Sequence, residues 1–171
     1  MTGDTELINP AKPLRDQGFV ETKSASAMLL ALRRARAKAK ITMISGAPGI
    51  GKSATIQHFK RTYAQDAIIF QATAAEGGAW NLACALFSIV GLGIPNARDL
   101  PRARENLADA IGQSGFLIID EAQYLVQRNP RGRDHPDCLE WVRSMSENGG
   151  FGLPFVGDLK LDEIILDLPQ L

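Results

Sequence analysis

The sequence predicts one α/β domain built on a doubly wound, mostly parallel sheet. Short apolar runs alternate along the chain with longer segments of helical periodicity, the pattern that parallel strands and their covering helices produce. The chain has 171 residues, of which 45% are hydrophobic, and a domain of this size buries roughly 70% of its unfolded surface. This composition excludes a disordered chain and a fibrous protein.

Each element is predicted from its periodicity and its flanking residues. Apolar residues three and four apart indicate helices, whereas β-branched runs bounded by glycine or proline indicate strands. The polar segment 1–22, with Pro10 and Pro13, predicts an extended lead-in to a domain over residues 23–171. The predicted elements are a helix from after Ser24 to about Lys40, a strand at 41–45, a helix at 52–63, a strand at 67–72, helices at 79–90 and 100–111, a strand at 116–119, a polar loop at 127–133, a helix from about 136 to 149, a strand at 153–156 and a last amphipathic segment to Leu171.

A glycine-rich motif follows the first predicted strand. Residues 46–53 read GAPGIGKS and match G-x-x-x-x-G-K-[ST] at every fixed position. Such a loop points successive backbone N–H groups at phosphate oxygens, and the following helix presents its positive end to the same anion. The alternative is a glycine-rich turn that precedes Lys-Ser by coincidence. The predicted nucleotide contacts are Gly46, Ala47, Pro48, Gly49, Ile50, Gly51, Lys52, Ser53 and Ala54.

Four side chains have predicted chemical roles around this motif. Lys52 is expected to reach the β- and γ-phosphates of the nucleotide, and the Ser53 hydroxyl is expected to ligate Mg²⁺. Asp120 and Glu121 end the apolar strand that begins FLII. Asp120 is the second predicted Mg²⁺ ligand, and Glu121 is the residue predicted to polarise the attacking water. Acidic residues end many strands, so the spacing from Lys52 within an alternating α/β chain strengthens this interpretation.

Asp158 is a third catalytic candidate beside Lys52 and Glu121. It follows the last predicted strand, where a neighbouring strand of such a sheet would bring a polar side chain near the γ-phosphate. The alternative is that Gly157 and Asp158 only form a turn. Both interpretations stay open at this point.

The charge is polarised along the chain although its formal net value is zero. Residues 1–64 carry 11 basic and 4 acidic side chains, a net +7, and residues 65–171 carry 8 basic and 15 acidic, a net −7. A basic stretch within the first predicted helix suggests backbone-directed, non-specific contact with DNA phosphates, and the alternative is a solvated helix face. The candidate DNA contacts are Arg33, Arg34, Arg36, Lys38 and Lys40. Arg128, Arg131 and Arg133 form a second basic group.

Cysteine usage and hydropathy predict a cytoplasmic protein without a membrane partner. Cys84 and Cys138 lack the spacing of a disulfide framework or a zinc site, so we expect reduced thiols. The most apolar window, residues 79–94, is too short and too interrupted to span a bilayer. The first six residues lack the pattern of a signal peptide.

In these motifs the chain resembles the AAA+ ATPases, and among them the group of target-selection ATPases found in bacteriophage Mu and in transposons. The matching segments are GAPGIGKS, AWNLACALFSIVGLGIP, FLIIDEAQYL and CLEWVRSMSENGGFGLPFVGD, which together cover about residues 22–160. The resemblance implies a three-layer αβα P-loop NTPase core with ATP and Mg²⁺ as cofactors. It further implies ATP-dependent DNA binding, self-assembly into a homo-oligomer and contact with a transposase or another protein.

The resemblance also assigns motif roles and exposes departures. Residues 46–53 correspond to Walker A, Asp120 and Glu121 to Walker B, and Asp158 to a sensor position. The family continues into an arginine finger, a fifth strand and a helical lid, and this C-terminal strand and lid are missing here, with no arginine after Arg143. We therefore expect slow ATP turnover and a position near the sheet edge for strand 41–45.

The sequence has three alternative interpretations besides an ATPase that acts with DNA. The main alternative is a nucleotide-dependent protein-interaction module with negligible turnover, serving a secretion or replication component. A helicase of the DEAx type is disfavoured because such enzymes need two motor domains and this chain supplies one. A small-molecule kinase is disfavoured because two carboxylates at a strand end suit water activation better than transfer to a substrate hydroxyl.

Overall fold

A four-stranded, fully parallel sheet organises the fold. A computed structural model describes residues 18–76, 78–96, 99–128, 134–135 and 137–166. The sheet strands are β1 (Ile41–Ser45), β2 (Ile68–Gln71), β3 (Leu117–Asp120) and β6 (Leu153–Gly157), and their order across the sheet is β1-β6-β3-β2. Among the residues with a described structure, β1 is an edge strand, which confirms the expectation for residues 41–45.

Helices cover both faces of this sheet. They are α1 (Lys23–Ala37), α2 (Lys52–Tyr63), α3 (Ala79–Val90), α4 (Leu100–Ile111), α5 (Asp137–Gly149) and α6 (Leu159–Leu166). Two 3₁₀ turns, Ala74–Glu76 and Ala122–Leu125, follow β2 and β3. The bounds of α2, α3 and α4 are those predicted from the sequence.

The period-two alternation of β3 divides the core into two apolar layers. Leu117 and Ile119 pack with residues of α3, α4 and α5 on one face. Ile118 packs with residues of α1 and α2 on the other. All four residues of β3 are buried, as expected for a parallel strand covered on both sides. The result is a three-layer αβα domain, which confirms the predicted fold class.

The first helix differs from its prediction at both ends. Thr22, not Ser24, is its N-cap, and the Thr22 hydroxyl accepts a hydrogen bond of 3.2 Å from the Ala25 N–H. The helix ends at Ala37 instead of Lys40 because Ala39 adopts a left-handed φ of 47°. The Lys40 N–H then bonds the Ala35 carbonyl, and the chain reverses into β1.

The predicted polar loop at 127–133 was wrong in part. Residues Gln127–Arg128 form a short strand, β4, which pairs antiparallel with β5, Asp134–His135. Two-residue strands carry too little alternation to be recognised from sequence. Arg131, Arg133 and Pro136, like residues 1–17 and 167–171, lie outside the described residues.

The sequence predicts reduced cysteines and no membrane-spanning segment. Neither Cys84 nor Cys138 is disulfide-bonded. In the described part of the chain, every helix is too short or too polar to cross a bilayer.

Candidate active site

The carboxyl ends of three parallel strands meet at one edge of the sheet and enclose a cavity of about 420 Å³. Loop 46–51 follows β1, Asp120 ends β3 and Glu121 follows it, and Asp158 follows β6. Crevices at this edge are where open α/β sheets bind ligands. The lining residues are Pro48, Gly49, Gly51, Lys52, Ser53, Ala54, Glu121, Gln123, Tyr124 and Asp158.

The structure favours glycine at three positions of the loop for different reasons. Gly49 and Gly51 have φ values of 81° and 90°, a region in which residues with a Cβ are strained. A Cβ on Gly46 would lie 2.4 Å from the Ile50 Cδ1 atom. Because that atom ends an exposed side chain that can rotate away, the contact disfavours a Cβ at Gly46 only weakly, whereas the backbone conformation favours glycine at the other two positions.

Lys52 begins α2 and lies against the loop. Lys52 is 8% exposed, and its ammonium group donates to the Gly46 carbonyl at 2.8 Å and to the Ala47 carbonyl at 3.2 Å. The N-cap of α2 is Gly51, which has no side chain to cap the helix, so the first turn of α2 faces the loop with backbone donors and a lysine.

Ser53 and Asp120 are brought together from positions 67 residues apart. The Ser53 hydroxyl donates to the Asp120 Oδ2 atom at 2.7 Å, and Asp120 is only 3% exposed. These two hard oxygen donors fit Mg²⁺, which proteins bind through one or two side chains while water and phosphate complete the shell. Among the described residues, no group of three or more His, Cys, Asp and Glu side chains is arranged to hold a metal ion.

Glu121 has an unusual backbone. Its φ of 55° and ψ of 38° are left-handed, and it is one of two non-glycine residues with positive φ in the described chain. The conformation turns the chain off β3, so Asp120 and Glu121 aim in different directions from adjacent positions. Strain at such a position is found where surrounding structure enforces it.

Gln123 is a site residue that the sequence reasoning missed. Its Nε2 atom donates to the Glu121 Oε2 atom at 2.5 Å, and its Oε1 atom accepts from the Asp158 N–H at 3.2 Å. Its sequence signal is its place in Asp120-Glu121-Ala122-Gln123, a tetrapeptide that resembles the DEAx motif of helicases and does not by itself indicate this contact.

Asp158 lines the cavity, and its side chain also accepts a hydrogen bond from the backbone. One carboxylate oxygen, Oδ1, accepts from the Lys160 N–H at 2.9 Å at the start of α6. This contact agrees with the turn-forming interpretation. A role at the γ-phosphate remains a prediction for this residue.

The candidate DNA contacts lie at the other end of the sheet. Arg33, Arg36 and Lys38 line a separate cavity of about 790 Å³ beside Gln113 and Ser114, which precede β3. The Arg36 guanidinium contacts both Asp66 carboxylate oxygens, at 2.7 and 2.9 Å, and this hydrogen bonding lowers the pKa of Asp66. The Arg33 guanidinium lies 5.2 Å from the centre of the Tyr63 ring.

These contacts divide the basic stretch into two groups. Arg33 and Arg36 contact Tyr63 and Asp66, although Arg33 is also exposed. Arg34, Lys38 and Lys40 are exposed, and contact with DNA stays a prediction for this stretch. The structure thus does not bring the basic residues to the candidate active site.

The three-layer fold and the loop, serine and carboxylates around one cavity define a nucleotide-binding α/β protein of the phosphate-loop class. The family model of the AAA domain matches residues 35–165. The chain belongs to the AAA domain family.

The chain is also similar to two transposition proteins. It is 30% identical over 149 residues to the Mu-like prophage FluMu DNA transposition protein B of Haemophilus influenzae, a match that covers 84% of this chain and 46% of that protein. It is 28% identical over 145 residues to the ATP-dependent target DNA activator B of Escherichia phage Mu, covering 82% of this chain and 42% of that protein. The chain therefore spans about half the length of these relatives.

The left-handed backbone of Glu121 predicts that glycine stabilises the fold more than alanine at this position, the reverse of their usual order in a helix. Glu121→Gly is expected to be more stable than Glu121→Ala by about 1 kcal/mol, because only glycine adopts this φ without strain. At Glu105, an exposed position within α4, the same pair should show the ordinary order, with alanine more stable by up to about 1 kcal/mol. Urea unfolding of the four variants measures both differences. Equal stability of the pair at 121, or alanine ahead of glycine, would contradict the strain.

Proposed function

We propose that this chain binds ATP with Mg²⁺ and hydrolyses it, and that it acts with DNA in transposition or a related mobile-element process. The observation that carries the proposal is that Lys52, Ser53 and Glu121 line one cavity, while Asp120 accepts a hydrogen bond from the Ser53 hydroxyl behind it. Membership of the AAA domain family supports the use of ATP.

In this proposal the phosphate chain of ATP lies in loop 46–51 and at the first turn of α2. Backbone N–H groups and the Lys52 ammonium neutralise the phosphates, with Lys52 exchanging its carbonyl partners at Gly46 and Ala47 for phosphate oxygens. Ser53 and Asp120 supply the protein ligands of Mg²⁺. Bound Mg²⁺ would neutralise charge on the β- and γ-phosphates.

Glu121 is the proposed general base. Its half-buried carboxylate lines the cavity beside Asp158, in position to accept a proton from a water molecule that attacks the γ-phosphate. Lys52 is the one cation among the described residues that line the cavity. A second cation at the γ-phosphate contributes about 10³ to 10⁵ in rate in related enzymes, so we propose slow turnover for the isolated chain.

A second copy of the chain is a proposed source of that missing cation. ATP bound in the open cavity would then favour self-assembly, because each nucleotide would contact two subunits. A homo-oligomer formed with ATP and a transposase or other protein partner are both part of the proposal.

The proposal for DNA is supported by the names of the relatives and by the exposed cations. The phage Mu relative is named an ATP-dependent target DNA activator. In this chain Arg34, Lys38 and Lys40 are exposed near the end of α1 and are the candidates for contact with DNA phosphates, which would be independent of base sequence.

Glu121→Gln is expected to lower the ATPase rate at saturating ATP by at least roughly 100-fold, because it removes the base. The affinity for Mg²⁺-ATP should stay close to that of the wild type. A phosphate-release assay measures the rate, fluorescent ATP the affinity, and Glu105→Gln on exposed α4 is the matched control. An unchanged rate in Glu121→Gln would contradict hydrolysis and favour the interaction module with negligible turnover.

The exposed cations in and just after the last turn of α1 predict a salt effect on DNA binding. Replacing Arg34, Lys38 and Lys40 together by Ala should reduce the slope of log affinity against log salt by up to about 3, near 0.9 for each lost phosphate contact. Binding to random duplex DNA is measured with ATP at several salt concentrations. The matched control replaces three exposed cations away from residues 34–40, namely Lys23 at the start of α1, Arg102 and Lys160. If both triple variants keep the wild-type slope, Arg34, Lys38 and Lys40 do not contact DNA.

A further inference from the structure

The side chain of Gln123 joins the two strand ends that flank the candidate active site. Its amide nitrogen donates to the Glu121 carboxylate at 2.5 Å while its amide oxygen accepts from the Asp158 N–H at 3.2 Å. An amide provides a donor and an acceptor on one rigid group. A carboxylate of the same length lacks the donor, so glutamate at this position would keep only the contact with β6.

The backbone around Gln123 is built to hold this side chain. Its neighbour Ala122 and the nearby Leu125 are fully buried, which anchors the 3₁₀ turn that carries it. On the facing strand, a Cβ on Gly157 would lie 2.6 Å from the Gln123 Oε1 atom and 2.9 Å from a methyl carbon of Leu161. The bare backbone of Gly157 therefore makes room for the amide against β6.

We infer that Gln123 is a positioning residue that holds the Glu121 carboxylate toward the cavity and ties it to the end of β6, an inference that rests on the proposed ATP hydrolysis. The amide bonds one carboxylate oxygen, Oε2, and leaves Oε1 to accept the proton of water. The left-handed backbone of Glu121 sets the direction of its Cα–Cβ bond. The hydrogen bond from Gln123 then restricts rotation about the side-chain bonds of Glu121.

The same bridge makes the orientation of Glu121 depend on Asp158. The Asp158 N–H is the other partner of the amide, and Asp158 lines the cavity where the γ-phosphate is proposed to lie. A movement of Asp158 on nucleotide binding is therefore transmitted to the base through one side chain. Gln123 itself transfers no proton and forms no bond to the reacting atoms.

The test separates a positioning role from a general loss of structure. Gln123→Ala is expected to lower kcat roughly 10-fold or more, since small misplacements of reacting groups cost up to about 100-fold, with KM for ATP changed less than about 2-fold. Gln123→Glu should lower kcat as much, because it sets two carboxylates against each other. Gln57→Ala, an exposed amide on α2, is the matched control and should keep the wild-type kcat.

A double-mutant cycle with Glu121→Gln distinguishes failure of the positioning role of Gln123 from failure of the proposed ATP hydrolysis. If Gln123 acts through Glu121, then Gln123→Ala changes the residual single-turnover rate of Glu121→Gln less than about 2-fold. If Glu121→Gln itself has the wild-type rate, the proposed function fails. If Glu121→Gln is impaired and Gln123→Ala keeps the wild-type kcat, the positioning role is overturned and the proposed function stands.

Gly157→Ala provides a second variant should Gln123→Ala not fold. Its Cβ would displace the end of the Gln123 side chain, and kcat is expected to fall several-fold with little change in KM. A folded Gly157→Ala protein with wild-type kcat would overturn the inference.

Discussion

The parallel alignment of β3 with its two neighbours is the constraint on which the candidate site depends. Asp120 pairs with Gln71 of β2, and Ile119 pairs with Phe155 of β6. Because the strands run in one direction, the loop after β1 and the ends of β3 and β6 reach the same edge. The burial of β3 on both faces keeps this register, since a slip by one residue would turn Ile118 and Ile119 toward the opposite layers.

Local motifs in the sequence predicted the parts of the site that depend on local geometry. The spacing of GAPGIGKS predicted a phosphate loop between a strand and a helix, and the apolar run before Asp120 predicted a buried strand. The helix start at Thr22 was missed because Thr22 and Ser24 are both good N-caps, and burial of Ala25, Met28 and Leu29 selects between them. Gln123 was missed because its two partners lie on different strands, and only the folded sheet brings them within one amide's reach.

The candidate nucleotide site and the basic residues of α1 lie at opposite ends of the sheet. Arg36 is bound to Asp66 just before β2, a partly exposed pair worth no more than about 1 kcal/mol. That contact is present above the ordinary pKa of Asp66 and is lost as pH falls through its lowered pKa. The α1 end of the fold therefore carries a weak surface ion pair over an apolar cluster, while the other end is shaped by glycines and by the strained backbone of Glu121.

Loop 46–53 and Asp120 are proposed to bind Mg²⁺-ATP through its phosphates and its metal ion. Calorimetric titration of Mg²⁺-ATP into the wild type, Lys52→Ala and the α2 control Lys60→Ala tests this binding most directly, with thermal melting to verify that each variant folds. We expect Mg²⁺-dependent binding to the wild type and to Lys60→Ala, and at least roughly 10-fold weaker binding to folded Lys52→Ala, since a charged hydrogen bond contributes about 1.5–3 kcal/mol. Equal affinity in wild type and Lys52→Ala would contradict it.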